Sequence, residues 1–170
     1  VSDLTGDQFS IEYQGRTPLQ YKRGSQIERI AAVHPDVPPA GRATRPRGRA
    51  SSVPDMDYWH PEVEVGLGET GRPLKKPKVV QNPSAAAPGT AAFLDYEVRP
   101  QNEVYVHYMN TRSDMTKRGL GNRLMDTVAS QFPQHRINLG QIESKHVYNM
   151  KQRLSREGRD VVGNDRGWSG

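Results

Sequence analysis

The 170-residue chain is predicted to be an α/β protein, with a mixed β-sheet flanked by helices and a long Pro/Arg-rich insertion or linker. Three observations predict this. Apolar residues alternate with period two near the start and again after residue 91. Two stripes of helical spacing follow in the last third. Ten of the thirteen prolines fall between Pro35 and Pro88, where they remove backbone donors and fix φ.

The elements follow in order. Phe9, Ile11 and Tyr13 alternate with polar residues, "QGRTP" turns, and Leu19 and Tyr21 alternate again, which reads as a hairpin. "SQIERIAAV" puts Ile27, Ile30 and Ala31 on one helical face behind Ser25 as a cap, predicting a short helix. Residues 1–33 are assigned to the same sheet as the C-terminal part. Residues 34–90 read as a linker or extended insertion without long regular elements, although "DYWHPEVEVGLGETGRPL" has apolar surface enough for a short strand or a docked segment. Residues 91–170 form the expected core. "AFLDYEV" is a strand with Leu94, Tyr96 and Val98 on one face, "RPQNE" a turn, and "VYVHYM" a strand apolar on both faces, as a central strand is. Leu120, Leu124 and Val128 then recur every four residues, with Met125 and Phe132 beside them, until Pro133 stops the helix. "RINLGQI" is a short strand. "ESKHVYNMKQRLSREG" carries Val147, Met150 and Leu154 on one helical stripe and ends at Gly158, a C-cap.

Composition narrows the function classes. Apolar residues make up 34% and aromatics 7%, too little for the whole chain to share one core, so the folded unit is expected to be smaller than the chain. The absence of cysteine excludes disulfides, thiolate metal sites and cysteine nucleophiles. The five histidines have no paired metal-ligand spacing, so no metal site is predicted. No apolar run approaches the roughly 18 residues of a membrane span, and "VSDLTGDQFS" lacks the pattern of a secretory signal. A soluble, cytoplasmic protein is the expectation. The net charge of +5 is spread over both halves, except for Arg42, Arg45, Arg47 and Arg49 in "GRATRPRGRA".

The stretch "HYMNTRSDMTKRGLGNRLM" joins the central strand to the first long helix through Gly119 and Gly121. A helix start presents unpaired N–H groups and the positive end of the macrodipole, and glycines admit a bulky anion to the backbone. Lys117 and Arg118 add charge. The plainer alternative is that the glycines only permit a tight turn.

This arrangement resembles the GNAT superfamily of N-acetyltransferases, in which a central strand leads into an Arg/Gln-x-x-Gly-x-Gly/Ala loop. Here the matching residues are "TKRGLG", with Gly119 and Gly121 at the glycine positions and Thr116 where the family has Arg or Gln. The helix, strand and helix that follow also match the family's order, over about residues 91–165. The resemblance implies that acetyl-coenzyme A is the cosubstrate. Its pyrophosphate would lie on Thr116, Lys117, Arg118, Gly119, Leu120, Gly121 and Asn122, and its pantetheine arm along the backbone of Tyr108, Met109 and Asn110. Where many relatives carry a tyrosine acid in the last helix, this chain has Leu154, and Tyr148 is the nearby phenol.

Acetyl transfer requires a neutral amine, so a base within reach of the thioester is sought. His107 on the central strand is the first candidate, Glu97 on the preceding strand the second, and Tyr148 the candidate acid. The ordinary roles of these residues are a packed strand histidine, a solvated glutamate and a rim tyrosine. The acceptor, a small molecule or a protein amine, is not specified by the sequence. Two other readings compete. One is a GNAT-like binding or structural module without turnover. The other is a nucleic-acid-associated protein using the Arg42–Arg49 cluster with Tyr58, Trp59 and His60, which is less favoured because those arginines lack a regular framework.

Overall fold

The computed structural model describes residues 4–16, 26–41, 46–47, 58–68, 70–82 and 85–165. Among these the chain forms strands β1 (Ser10–Arg16), β2 (Glu28–Val33), β3 (Pro46–Arg47), β4 (Glu62–Leu67), β5 (Pro73–Gln81), β6 (Thr90–Arg99), β7 (Glu103–Thr111), β8 (Arg136–Gln141) and β9 (Val161–Asn164). The α-helices are α1 (Leu120–Gln131) and α2 (Lys145–Arg156). Residues 35–90 form one unit, and residues 2–34 with 91–170 another.

The larger unit is a six-stranded mixed sheet in the order β1-β2-β6-β7-β8-β9. β1 and β2 are antiparallel, as are β6 and β7, whereas β7, β8 and β9 run parallel. Thr90 to Tyr96 are buried without interruption, as expected of a strand covered on both faces. The two parallel crossovers step in the same direction across the sheet, so right-handed connections bring α1 and α2 to one face. There Arg153 Nη2 meets the Asp126 carboxylate at 2.8 Å. The stripe Leu120, Leu124, Met125 and Val128 is buried, each large side chain contributing about 1.5–3 kcal/mol. Tyr96 and Phe132 pack edge to face, centroids 5.8 Å apart, at the C-terminal end of α1.

α2 is capped at both ends. Ser144 Oγ accepts from Val147 N at 3.2 Å. At the other end Gly158 takes φ +90° and Arg159 N donates to Leu154 O at 3.0 Å, the 6→1 bond of a Schellman motif.

The expected helix over "SQIERIAAV" is instead strand β2, with Arg29, Ile30, Ala31 and Ala32 all buried. Ile27, Ile30 and Ala31 fit a helical stripe by spacing, but four consecutive buried residues fit a strand covered on both faces, and this one pairs with β1. The second strand of the expected N-terminal hairpin and Ser25 lie outside the described residues; β1 pairs with β2.

Residues 35–90 are more than a linker. They hold a three-stranded sheet, β3-β4-β5, in which β4 is the short strand expected in "EVEVGL". β5 runs nine residues despite Pro73 and Pro77, and it does so as an edge strand, where a missing donor is tolerated. Tyr58 and Val63 are buried there, and Asn82 is held by its side-chain donation to His60 O at 3.0 Å. Arg42, Arg45 and Arg49 lie outside the described residues, and of Arg47 only the main chain, in β3, is described. Among the described residues no helix is long and apolar enough to cross a membrane.

The β6–β7 turn holds Gln101 at φ +67° and Asn102 at φ +57°. Asparagine tolerates the left-handed region; glutamine does so at a cost. Gln101→Gly is expected to stabilise the fold by about 0.5–1 kcal/mol, read as a shift in the urea midpoint at constant slope.

Candidate functional site

The parallel ladder between β7 and β8 covers only Glu103, Val104 and Tyr105 on β7, opposite Arg136, Ile137 and Asn138. Beyond Tyr105 the two strands diverge. Between them lies a cleft of about 380 Å³ whose walls include Tyr105, His107 and Met109 of β7, Leu139 of β8, Met125 of α1 and Val147 of α2. Tyr108 also lines it.

β7 is bulged at the cleft. Asp95 pairs with Tyr108 and Tyr96 with Val106, so His107 is the extra residue. A bulge bends its strand and re-aims side chains. It puts His107 Nε2 at 2.9 Å from Glu97 Oε1 on the neighbouring strand. Arg99 Nε donates to the same oxygen at 3.3 Å. The Arg99 guanidinium lies 4.0 Å above the Tyr105 ring, and that ring meets His107 edge-on, centroids 4.7 Å apart. The structure thus brings His107 and Glu97 together and adds Arg99 and Tyr105.

The hydrogen bond from His107, followed by that from Arg99, holds the Glu97 carboxyl below its ordinary value against the opposing effect of burial. An ionised Glu97 accepts, so Nε2 carries the hydrogen and the basic lone pair of a neutral imidazole is on Nδ1. The depressed pKa has a sign for stability. The contribution is present above the ordinary glutamate value of 4.5 and is lost as pH falls through the folded-state value. The stability gap between wild type and Glu97→Gln is therefore expected to shrink as pH falls below about 4.5; urea titrations at a series of acidic pH values measure it.

The C-terminal end of β7 leads through a short 3₁₀ turn, Ser113–Met115, to the glycine loop. Lys117 and Gly119 are both left-handed, at φ +64° and +72°. Gly119 is the N-cap of α1, whose first turn has no side-chain cap and no acidic residue. A left-handed residue followed by a helical one turns successive N–H groups toward one point. A Cβ on Gly119 would meet no atom of the described residues within 4 Å.

The other loop residues have distinct tasks. Arg118 folds back, donating to Leu4 O at 2.7 Å and to the carbonyls of Asp114 and Thr116 at 3.3 and 3.2 Å. Arg123 donates to Gly6 O and, at 2.8 Å, to Phe9 O. Together they tie residues 4–9 to the loop. Gly121 faces α2 and not the open side: a Cβ there would lie 3.1 Å from Met150 Cε and 3.2 Å from His146 Nε2. Leu120 is buried beneath the loop, and Asn122 Oδ1 accepts from Arg153 at 3.3 Å.

Tyr148 is not among the residues lining the cleft; its Oη accepts from Gln152 Nε2 at 2.8 Å. Leu154 is buried. Sequence reasoning missed Tyr105 and Ser144 in the cleft wall, because neither the bulge nor the divergence of β8 leaves a local signal. It also missed Arg29 on β2 and Asp95 on β6, which form a buried two-pronged ion pair at 2.7 and 3.0 Å. Among the described residues no cluster of three His, Asp or Glu side chains is placed to hold a metal ion. Comparison with protein-family models, curated proteins and solved structures finds no match to the chain.

Proposed function

We propose that the six-stranded unit is a GNAT-like acyltransferase module that binds acetyl-coenzyme A in the cleft between β7 and β8 and transfers its acetyl group to an amine. The observation that carries this reading is the course of β7. It leaves its parallel partner after Tyr105, borders a cleft, and leads to a left-handed glycine at an uncapped helix start. From Tyr105 to Thr111 the strand spans roughly 20 Å at about 3.3–3.4 Å per residue, room for an extended pantetheine arm. The arm's amides would run beside Tyr108, Met109 and Asn110 like an added strand. Its pyrophosphate would lie at the amides after Gly119, with Lys117 exposed alongside.

The thioester end then lies near His107. The acceptor amine attacks the carbonyl carbon, the C–S bond breaks, and the proton of the amine passes to His107 Nδ1 while Glu97 holds the ring and stabilises its charge. The leaving thiolate has an ordinary thiol pKa of about 8.5, so water suffices to reprotonate it. That makes the reading independent of Tyr148. The alternative of a binding module without turnover is favoured by one observation, the buried Leu154 in place of a phenol.

The test has two arms. Acetyl-coenzyme A at about 100 times its Kd should stabilise the chain by about 2.7 kcal/mol in thermal unfolding, and thiol release should follow when a panel of primary amines is added. Protection without thiol release supports the non-catalytic module. Protection by single-stranded DNA or RNA and not by acetyl-coenzyme A supports the nucleic-acid reading.

A further inference from the structure

Tyr105 stands where the cleft ends. Its partner on β8, Asn138, is the last paired residue of the parallel ladder. Two residues further on, Gly140 takes φ +61° and lies directly under the phenol: a Cβ there would fall 3.0 Å from Tyr105 Cζ and closer still to the hydroxyl oxygen. The ring therefore leans from β7 across the vertex at which the strands part. Its position is fixed from two further sides, by the Arg99 guanidinium 4.0 Å above its centroid and by the edge contact with His107 at 4.7 Å. Arg99 is itself held by Glu97. Displacing the ring would break these contacts.

We propose that Tyr105 is the acyl-size determinant of this site, closing the deep end of the cleft so that a two-carbon acyl group fits and a long one does not. The inference rests on the acetyl-coenzyme A reading above and adds to it the class of acyl donor. A thioester seated beside His107 directs its acyl carbons toward the strand vertex, against the Tyr105 ring and between Val106 and Leu139, which also line the cleft. With the ring in place a longer chain has to displace either a clamped aromatic or the paired part of the ladder. With the ring removed, the same carbons enter apolar surroundings, and each buried methylene contributes about 0.8 kcal/mol, or roughly fourfold in affinity.

The experiment is calorimetric titration of free coenzyme A and its acetyl, butyryl and hexanoyl thioesters into the full chain, as wild type, Tyr105→Phe, Tyr105→Leu and Tyr105→Ala, with circular dichroism as the check on folding. Wild type and Tyr105→Phe should bind hexanoyl-coenzyme A at least about tenfold more weakly than the acetyl thioester. In Tyr105→Ala the order should reverse by at least about tenfold, consistent with roughly fourfold per methylene. Tyr105→Leu should fall between, and free coenzyme A should bind all four proteins within about threefold. Wild type that binds the hexanoyl thioester as tightly as the acetyl one overturns the proposal without recourse to any variant. So do folded Leu and Ala variants that keep the wild-type order, and in either case the cofactor reading stands. Wild type that binds neither coenzyme A nor any thioester removes both.

Discussion

Asp95→Ala is expected to destabilise the chain by about 3–5 kcal/mol, because it leaves the Arg29 guanidinium charged, buried and without its carboxylate. Arg29 and Asp95 are 3% and 0% exposed, so water cannot replace the lost partner. The two contacts, Nε to Oδ1 at 2.7 Å and Nη2 to Oδ2 at 3.0 Å, join β2 to β6. The guanidinium also lies 3.9 Å above the Phe93 ring. Asp95→Asn keeps one acceptor but loses the charge, and should cost less than the alanine change. The double variant Arg29→Met/Asp95→Leu should recover a large part of the loss, since an apolar pair of similar volume often matches a buried ion pair. Urea unfolding of the four proteins measures this. A loss under about 1 kcal/mol for Asp95→Ala would mean that solvent reaches the pair.

The second large effect tests the proposed acetyl transfer. His107→Gln should lower kcat/KM for acetyl transfer by about 10²–10⁴-fold, the usual contribution of a positioned base, while the Kd for acetyl-coenzyme A stays within a few-fold. Glutamine can still donate to Glu97, so the strand pairing and the bulge should survive. Glu97→Gln should have a smaller effect in the same direction, because it leaves the imidazole in place but removes the charge that orients and stabilises it. Transfer at wild-type rates by His107→Gln would show that binding and positioning alone carry the reaction.

What the sequence revealed of this architecture depended on whether an element's pattern is local. Leu120, Leu124 and Val128 mark α1 by spacing alone, and Gly158 marks the end of α2, because capping is decided by the residues beside it. β2 was misread because a doubly covered strand loses its alternation, and Arg29 inside it finds its partner 66 residues away. β5 was missed because its prolines argue against a strand unless the strand is an edge, which depends on topology. β9, "VVGN", is too short to carry a period. At the site, His107 and Glu97 were legible as chemistry-bearing residues on adjacent strands. Their 2.9 Å contact, and the arrival of Tyr105 at the vertex, follow from a bulge and a splay that no run of residues announces.

The same distinction separates the two loop glycines. By spacing alone Gly119 and Gly121 are equivalent candidates for phosphate contact. Gly119 takes φ +72°, whereas Gly121 admits the side chains of α2. A bulky residue at 121 would therefore test helix packing, with an overpacking cost of about 1–3 kcal/mol; at 119 the same residue meets no described neighbour but strains the backbone at φ +72°, so its effect on binding is read beside its effect on stability.

Calorimetric titration of acetyl-coenzyme A into wild type and Gly119→Val bears most directly on the proposal that this cleft and loop form a cofactor site. Wild type should bind. The variant, still folded by circular dichroism, should bind about 10 to 10⁴-fold more weakly, as one or two charge-assisted hydrogen bonds of about 1.5–3 kcal/mol each are lost. A wild type that shows no heat of binding at millimolar ligand, or a folded Gly119→Val that binds as tightly as wild type, would contradict it.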